Sequence, residues 1–171
     1  MTGKIIGSRV RLDDNSNENI VEFKLYISDL LENEKIQKLS SYEQHIQTSR
    51  LNHCINVSYY SFRLAKLIGA DARQAARAGL LHDLYWYDWH NKKTPINHAY
   101  FHPVLALKNA EKITDLTPAE KDAIINHMWP LSFGMPKHKE SIAVTLADKY
   151  SATLEVVKNK SAKYYLKFKR S

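Results

Sequence analysis

Apolar residues recur at helical spacing through most of the chain. Between Ile20 and Leu39 they return every three or four positions, with a polar interruption at residues 32–34, which predicts two short helices. The stretch from Thr48 to Ile68 has the clearest helical pattern, and Gly69 is the residue type expected just past a helix end. The apolar positions of the first stretch are Phe23, Tyr26, Ile27, Leu30, Leu31, Ile36 and Leu39.

Capping residues indicate where three more helices begin. Asp71 is a candidate N-cap for a helix rich in small residues, and Pro103 is of the type tolerated in a first helical turn. Thr117 is followed by a proline and then by Glu120, which is the capping-box pattern. The last long helix is predicted over roughly residues 137–157.

These elements predict an all-α helical bundle of about six to seven helices, because no stretch alternates polar and apolar residues as a strand does. With 171 residues the chain fits one domain with a substantial core. We expect a loose N-terminal lead over residues 1–19, the bundle over residues 20–157 and a basic C-terminal tail over residues 158–171.

The composition narrows the compartment and the partners. The single cysteine, Cys54, cannot form an internal disulfide, and the N-terminal residues carry no apolar stretch typical of a secretory signal. No run of about 18 apolar residues is present, so no membrane span is predicted. We therefore expect a cytoplasmic protein, with assembly into a homo-oligomer left open.

The net charge of +7 is concentrated at the C-terminus. Residues 158–171 hold six basic residues and no acidic one, which leaves 19 basic against 18 acidic residues in the rest of the chain. The body of the protein is therefore nearly neutral. A nucleic-acid partner is not expected, except through this tail.

Four polar residues interrupt the apolar faces of the predicted helices. His53 lies on an apolar stripe of its helix, and His82 with Asp83 follows the small-residue face of the next one. Asp148 stands among the apolar positions of the last helix, where an ionised carboxylate is costly unless it is paired or bound to a cation. A metal ion shared by these side chains would account for all four.

The residue types favour a divalent transition metal. Imidazole nitrogens and carboxylate oxygens bind borderline metals such as Fe, Mn, Ni, Co and Zn, which this ligand set does not distinguish. Neighbouring residues on a helix point about 100° apart, so His82 and Asp83 cannot surround an ion alone. Ligands from other helices must therefore converge on them.

The order of these residues resembles the HD superfamily of metal-dependent phosphohydrolases, which is named for its His-Asp pair. The resemblance covers roughly residues 42–155 and rests on an upstream histidine, the HD pair on a helix and a downstream aspartate. Two further histidines, His102 and His127, stand where the two-metal branch of the superfamily carries extra ligands. The matching stretches are SRLNHCINVSYYSFRLAKLIG, ARAGLLHDL, HAYFHPVLALKNAE, AIINHMWP and VTLADKYSATLE.

The resemblance implies phosphoester or phosphoanhydride hydrolysis by a metal-bound hydroxide, with one or two ions as cofactor and a nucleotide or small phosphorylated metabolite as substrate. It implies that Asp83 bridges two ions. Catalytic roles are also predicted for Lys149 and Arg50, as basic side chains near the pocket. The implied metal ligands are His53, His82, Asp83, His102, His127 and Asp148.

The sequence departs from the family pattern just after the HD pair. Some relatives have a lysine three residues on, and HD-type nucleotidases have a glutamate nearby, whereas this chain has Trp86. We predict substrate contacts from Trp86, from Lys92 and Lys93 in the following loop, and from His98. The HD-GYP signature and the extra acidic motif of guanosine tetraphosphate hydrolases are absent, so both activities are disfavoured.

Two other classes of function fit the same residues. A mixed-valent di-iron oxygenase on the HD scaffold would use the same six ligands. A module that binds nucleotides without turnover would explain the missing lysine or glutamate after the HD pair.

Overall fold

Seven α-helices dominate the part of the chain that the structure describes, residues 3–45, 48–88, 98–131 and 134–168 of a computed structural model. The predicted all-α fold is thereby confirmed. The helices are α1 (Glu18–Leu31), α2 (Glu34–Gln37), α3 (Arg50–Ile68), α4 (Ala72–Leu81), α5 (His98–Ala110), α6 (Pro118–Asn126) and α7 (Lys139–Phe168). A short 3₁₀ turn, Lys38–Ser41, follows α2.

A small antiparallel hairpin precedes α3, although the sequence predicts no strand. Its strands are β1 (Glu43–His45) and β2 (Thr48–Ser49). Strands of three and two residues are too short to show an alternating pattern, which explains why the sequence does not reveal them. The Arg50 N–H donates to the Tyr42 carbonyl at 2.7 Å, so the hairpin is tied to the first residue of α3.

The predicted helix starts at Asp71 and Thr117 are confirmed. The Asp71 side chain accepts from the Gln74 backbone N–H, and the Thr117 hydroxyl and the Glu120 carboxylate complete a reciprocal capping box. Gly69 ends α3 in the left-handed conformation, with φ 66°. The end of α3 and the starts of α4 and α6 are therefore determined by residues that are neighbours in the sequence.

Two helices extend beyond their predicted bounds. α5 starts at His98, so Pro103 lies inside the helix rather than in its first turn. α7 continues to Phe168, through most of the segment predicted as a tail. No glycine or proline interrupts residues 158–168, and alanine, leucine and lysine all favour the helix.

The N-terminal segment is packed against the bundle, whereas the sequence predicts a loose lead. Ile5 and Leu12 are buried in the core. The Ile6 N–H donates to the Asn56 side chain of α3 at 3.2 Å, and the Tyr60 hydroxyl donates to the Ile6 carbonyl. Burial of two aliphatic side chains supplies the free energy that orders this segment.

Helix α3 packs against α4 and α7 at the centre of the bundle. The approach of α4 to α3 is closest at Gly79, where an added Cβ would lie 2.9 Å from the Ser58 Cα. The Ser58 hydroxyl donates to the Ala76 carbonyl at 2.6 Å across the same contact. This packing places the C-terminal end of α4 beside the middle of α3.

Within the described residues, no helix has the length and apolar character needed to cross a membrane.

Candidate metal centre

The six predicted ligands meet at one place in the bundle. They come from five helical regions: His53 from α3, His82 and Asp83 from the end of α4, and the other three from α5, α7 and the end of α6. Two groups of these side chains place their ligand atoms within 4.8 Å of one another. These groups are His53 with His82 and Asp148, and His82 with Asp83 and His127.

The first group surrounds the Asp148 carboxylate. Asp148 Oδ1 lies 3.1 Å from His53 Nε2 and 3.7 Å from His82 Nε2. His82 Nε2 also lies 3.7 Å from Asp83 Oδ2, so Asp83 borders this group. His53 and His82 are buried, and the Asp148 side chain is 15% exposed. The first group is therefore open to solvent on the Asp148 side.

The second group surrounds the other oxygen of Asp83. Asp83 Oδ1 lies 3.2 Å from His102 Nε2 and 3.7 Å from His127 Nε2. The two imidazole Nε2 atoms are 2.9 Å apart. His102 thus joins this group, and Asp83 stands between the two sets of histidines.

The backbone fixes which nitrogen of three histidines carries the proton. In His82, His102 and His127, Nδ1 lies 2.7–2.8 Å from a backbone carbonyl three or four residues earlier. A carbonyl only accepts, so each Nδ1 donates, and in the neutral ring Nε2 presents its lone pair to the centre.

These lone pairs fit a cation. At 2.9 Å, the facing lone pairs of His102 and His127 repel each other unless a positive charge lies between them. Two nitrogen ligands at right angles, each about 2.05 Å from one ion, would be about 2.9 Å apart. His82 Nε2 and Asp83 Oδ1 are buried and have no hydrogen-bond partner among the residues that the structure describes. Buried polar atoms without partners are rare, and a bound ion would satisfy both.

The electrostatics keep the carboxylates ionised. Burial opposes ionisation of Asp83 and Asp148, but the neighbouring histidines outweigh it and hold both pKa values well below their usual range. Burial, together with the charges of His82 and His102, lowers the pKa of His127 to about 3, so this ring is neutral. Metal ligation requires ionised carboxylates and neutral imidazoles, and Asp83, Asp148 and His127 are in these charge states. Burial lowers the pKa of His102, but the hydrogen bond to Asp83 outweighs it and raises the pKa, so metal binding would release a proton from this ring.

A known protein family matches the part of the chain that contains these side chains. The HD domain family matches residues 50–153. The chain belongs to the HD domain family. Members of this family are typically metal-dependent phosphohydrolases. The match spans α3 to the middle of α7, which contains all six predicted ligands.

A curated relative of this HD domain is Ribonuclease Y from Clostridium kluyveri, which is 29% identical over 133 residues. The match covers 78% of this chain but only 23% of the relative, so the chain spans less than a quarter of that protein's length. No solved structure matches the chain.

Two residues beyond the end of the HD match lies Glu155, a buried residue that sequence reasoning missed. Its carboxylate lies 3.1 Å from His53 Nδ1 and accepts from the Asn56 side chain at 3.1 Å. Glu155 follows Asp148 by two helical turns on the same face of α7, which is the only indication in the sequence. Burial lowers the pKa of His53, but hydrogen bonds to Asp148 and Glu155 outweigh it and raise the pKa to about 10.

Arg50, for which a catalytic role is predicted, is directed into the protein rather than towards solvent. The residue is fully buried, and its guanidinium donates to the Gln44 side chain and to the carbonyls of Tyr85 and Tyr87. Its planar group also stacks 3.7 Å from the centre of the Tyr85 ring. These contacts use its donors within the protein.

Lys149 lies beside the candidate centre, as predicted. Its Nζ donates to the His127 carbonyl at 3.1 Å and to the Thr145 carbonyl at 3.5 Å. Burial lowers the pKa of Lys149, although Asp148 opposes the shift. The side chain is half-buried, so it can reach both the protein interior and a molecule outside.

The predicted substrate contacts lie in different surroundings. The Trp86 indole donates to the Lys35 carbonyl at 2.9 Å, so its polar edge is engaged by α2. His98 stacks on His102 with ring centres 4.5 Å apart, and its Nδ1 lies 2.9 Å from the Tyr87 hydroxyl. Lys92 and Lys93 fall outside the described residues.

Proposed function

We propose that this HD domain hydrolyses a phosphoric ester or anhydride in a nucleotide or another small phosphorylated metabolite. The observation that carries the proposal is the position of Asp83 between two sets of histidine Nε2 atoms. Within the described part of the chain, the buried atoms His82 Nε2 and Asp83 Oδ1 have no hydrogen-bond partner. Ligand sets of this kind suit Fe, Mn, Ni, Co or Zn.

The residues divide into two sets around Asp83. His53, His82 and Asp148 would hold one ion, and His102 and His127 would hold a second. When bound, paired divalent ions supply an activated water and neutralise the charge of the reacting phosphate. The protein contributes fixed ring orientations, because the second nitrogen of each histidine is engaged by a carbonyl or a carboxylate.

Lys149 is the proposed phosphate contact. An ammonium group has three donors, and two of them are directed at the carbonyls of His127 and Thr145. The third can donate to a phosphate oxygen of a substrate next to Asp148, the most exposed of the six ligands. Arg50 is assigned a positioning role instead, because it is buried.

The first test combines metal content with a substrate panel. Protein purified without chelator is analysed for metals, then loaded with each of the five ions and assayed for phosphate or nucleotide release. The panel contains nucleotides, dinucleoside polyphosphates, sugar phosphates and RNA oligonucleotides. RNA is included because the name of the relative Ribonuclease Y indicates it.

Two variants calibrate the assay. Asp83→Ala is expected to lose bound metal and activity, since both ligand sets lose a member. His138→Ala removes an exposed histidine and should leave both unchanged. Full turnover by Asp83→Ala, or oxygen uptake by the iron-loaded protein without phosphate release, would contradict the proposal. Thermal stabilisation by nucleotides without any product would instead indicate a binding module.

A further inference from the structure

Asp83 is held in place by a glutamine from the small hairpin. Gln44 lies in β1 and is 7% exposed. Its Nε2 donates to Asp83 Oδ2 at 2.5 Å, across 39 positions of sequence. The hydrogen bond joins an amide to an ionised carboxylate, which is among the stronger hydrogen bonds in proteins.

The orientation of the Gln44 amide is determined by its other contacts. Arg50 Nε donates to Gln44 Oε1 at 2.8 Å, and the Tyr85 hydroxyl donates to the same oxygen at 3.4 Å. Only the oxygen of an amide accepts, so the oxygen must face Arg50 and the nitrogen must face Asp83. Arg50 is itself fixed by the Tyr85 carbonyl at 2.8 Å.

This contact sets the rotation of the Asp83 carboxylate. With Oδ2 held by Gln44, that oxygen also lies 3.7 Å from His82 Nε2. The opposite oxygen, Oδ1, then lies 3.2 Å from His102 Nε2 and 3.7 Å from His127 Nε2. Rotation by about a quarter-turn around the Cβ–Cγ bond would break this division, because neither oxygen would then face a histidine set.

We propose that Gln44 is a positioning residue for metal binding, which divides Asp83 between the two histidine sets. The inference rests on the proposed function, since it concerns the same centre. Gln44 does not face either histidine set as a ligand: its oxygen is directed at Arg50 and its nitrogen donates to Asp83. Hydrogen-bond partners that orient a metal ligand typically change metal affinity by 10- to 100-fold when removed, and we expect a loss of about this size.

The test is a Co²⁺ titration of the metal-free Gln44→Met variant. Methionine has a similar length but neither donates nor accepts strongly, so Asp83 becomes free to rotate. We expect about 10- to 100-fold weaker Co²⁺ binding, measured by competition with a chromophoric chelator. We also expect a changed visible absorption band of the bound Co²⁺, because the geometry of its ligands changes.

Gln74→Met is the matched control. Gln74 also donates to an aspartate, Asp71, at 2.9 Å, and its oxygen also accepts a hydroxyl, that of Thr117. These bonds lie on the exposed surface away from the centre, so Co²⁺ affinity and spectrum should match those of the wild type.

Gln44→Met leaves the buried Arg50 without its side-chain acceptor, which could prevent folding. A second variant keeps the inference testable in that case. Gln44→Asn keeps an amide near Arg50 but is one methylene too short to reach Asp83 as well, and it should also bind Co²⁺ more weakly. A folded variant with wild-type affinity and spectrum would overturn the inference, even if its melting temperature fell. If the wild type itself bound no Co²⁺, the proposed function would fail, and this inference with it.

Discussion

The contact between α3 and α4 at Gly79 makes a sharp prediction for the Gly79→Ala variant. A Cβ at this position would lie 2.9 Å from the Ser58 Cα and 3.0 Å from the Ser61 Oγ. Favourable contacts between carbon atoms begin at about 3.5 Å, so α4 would have to move outward by about half an ångström or more. The Ser58 backbone belongs to α3 and cannot rotate aside as a side chain can.

Two opposing terms decide the effect on stability. Replacing glycine by alanine inside a helix raises the free energy of unfolding by about 1 kcal/mol. Overpacking of a close helix contact costs about 1–3 kcal/mol, and here the clash involves backbone atoms. We therefore expect the free energy of unfolding of the metal-free protein to fall by about 1 kcal/mol, with an upper limit near 2 kcal/mol.

The effect on metal binding should be larger than the effect on stability. His82 Nδ1 is bonded to the Gly79 carbonyl at 2.8 Å, and Asp83 is the next residue, so both move with the end of α4. A displacement of about 1 Å in a functional constellation costs about 100-fold in function. The displacement expected here is about half that, so we expect at least a tenfold loss of Co²⁺ affinity.

Gly69→Ala separates general destabilisation from this local effect. Gly69 has φ 66° and no atom within 4 Å of its added Cβ, so the substitution costs about 1–2 kcal/mol through backbone strain alone. Urea denaturation gives the free energy of unfolding, and chelator competition gives Co²⁺ affinity. The reasoning is wrong if Gly79→Ala keeps wild-type stability and affinity, or if Gly69→Ala loses affinity to the same extent.

Three further predictions concern the ligands and their partners. The double variant His102→Ala, His127→Ala should retain one equivalent of metal where the wild type binds two, as measured by elemental analysis; loss of all metal would contradict two separable sets. Glu155→Gln should weaken metal binding about 10- to 100-fold in calorimetry, because His53 loses a charged acceptor, and an unchanged affinity would exclude this role. The pKa of His53 in the folded protein, about 10, lies above the ordinary histidine pKa of 6.5. The contribution of His53 to the free energy of unfolding is therefore full below about pH 6.5 and is lost as the pH rises through 10. Urea denaturation of the metal-free protein should show that the free energy of unfolding declines between pH 7 and pH 10, and the decline should be smaller in Glu155→Gln.

Local chemistry made much of the fold readable from the sequence. The break between α1 and α2, the caps at Asp71 and Thr117 and the stop at Gly69 depend on neighbouring residues alone, and all are confirmed. The convergence of the predicted ligands also followed, since buried imidazoles and carboxylates on separate helices need a common partner. Their roles in metal binding and catalysis remain predictions.

The partners of the ligands were not readable, because they depend on contacts between distant residues. Gln44 reaches Asp83 across 39 positions, and Glu155 reaches His53 across 102. The local sequence around Gln44 does not mark it as buried, and the position of Glu155 two helical turns after Asp148 is the one indication for that residue. The burial of Arg50 was not readable for the same reason, since a basic side chain normally faces solvent. Here the Gln44 side chain and two backbone carbonyls accept its hydrogen bonds inside the protein.

Two departures from ordinary folding rules lie at the candidate centre. Pro103 inside α5 removes a helical hydrogen bond, which costs about 3 kcal/mol in an isolated helix. The helical turn before the proline orients His102, whose Nδ1 donates a hydrogen bond to the His98 carbonyl at 2.7 Å. In α5 this bond joins residues one helical turn apart, so the helix begins before His102. Pro103, which follows His102, therefore lies beyond the first turn. The unpartnered Nε2 of His82 is a second departure. Proteins accept such departures at sites that are shaped for binding rather than for stability, which is consistent with the proposed metal centre.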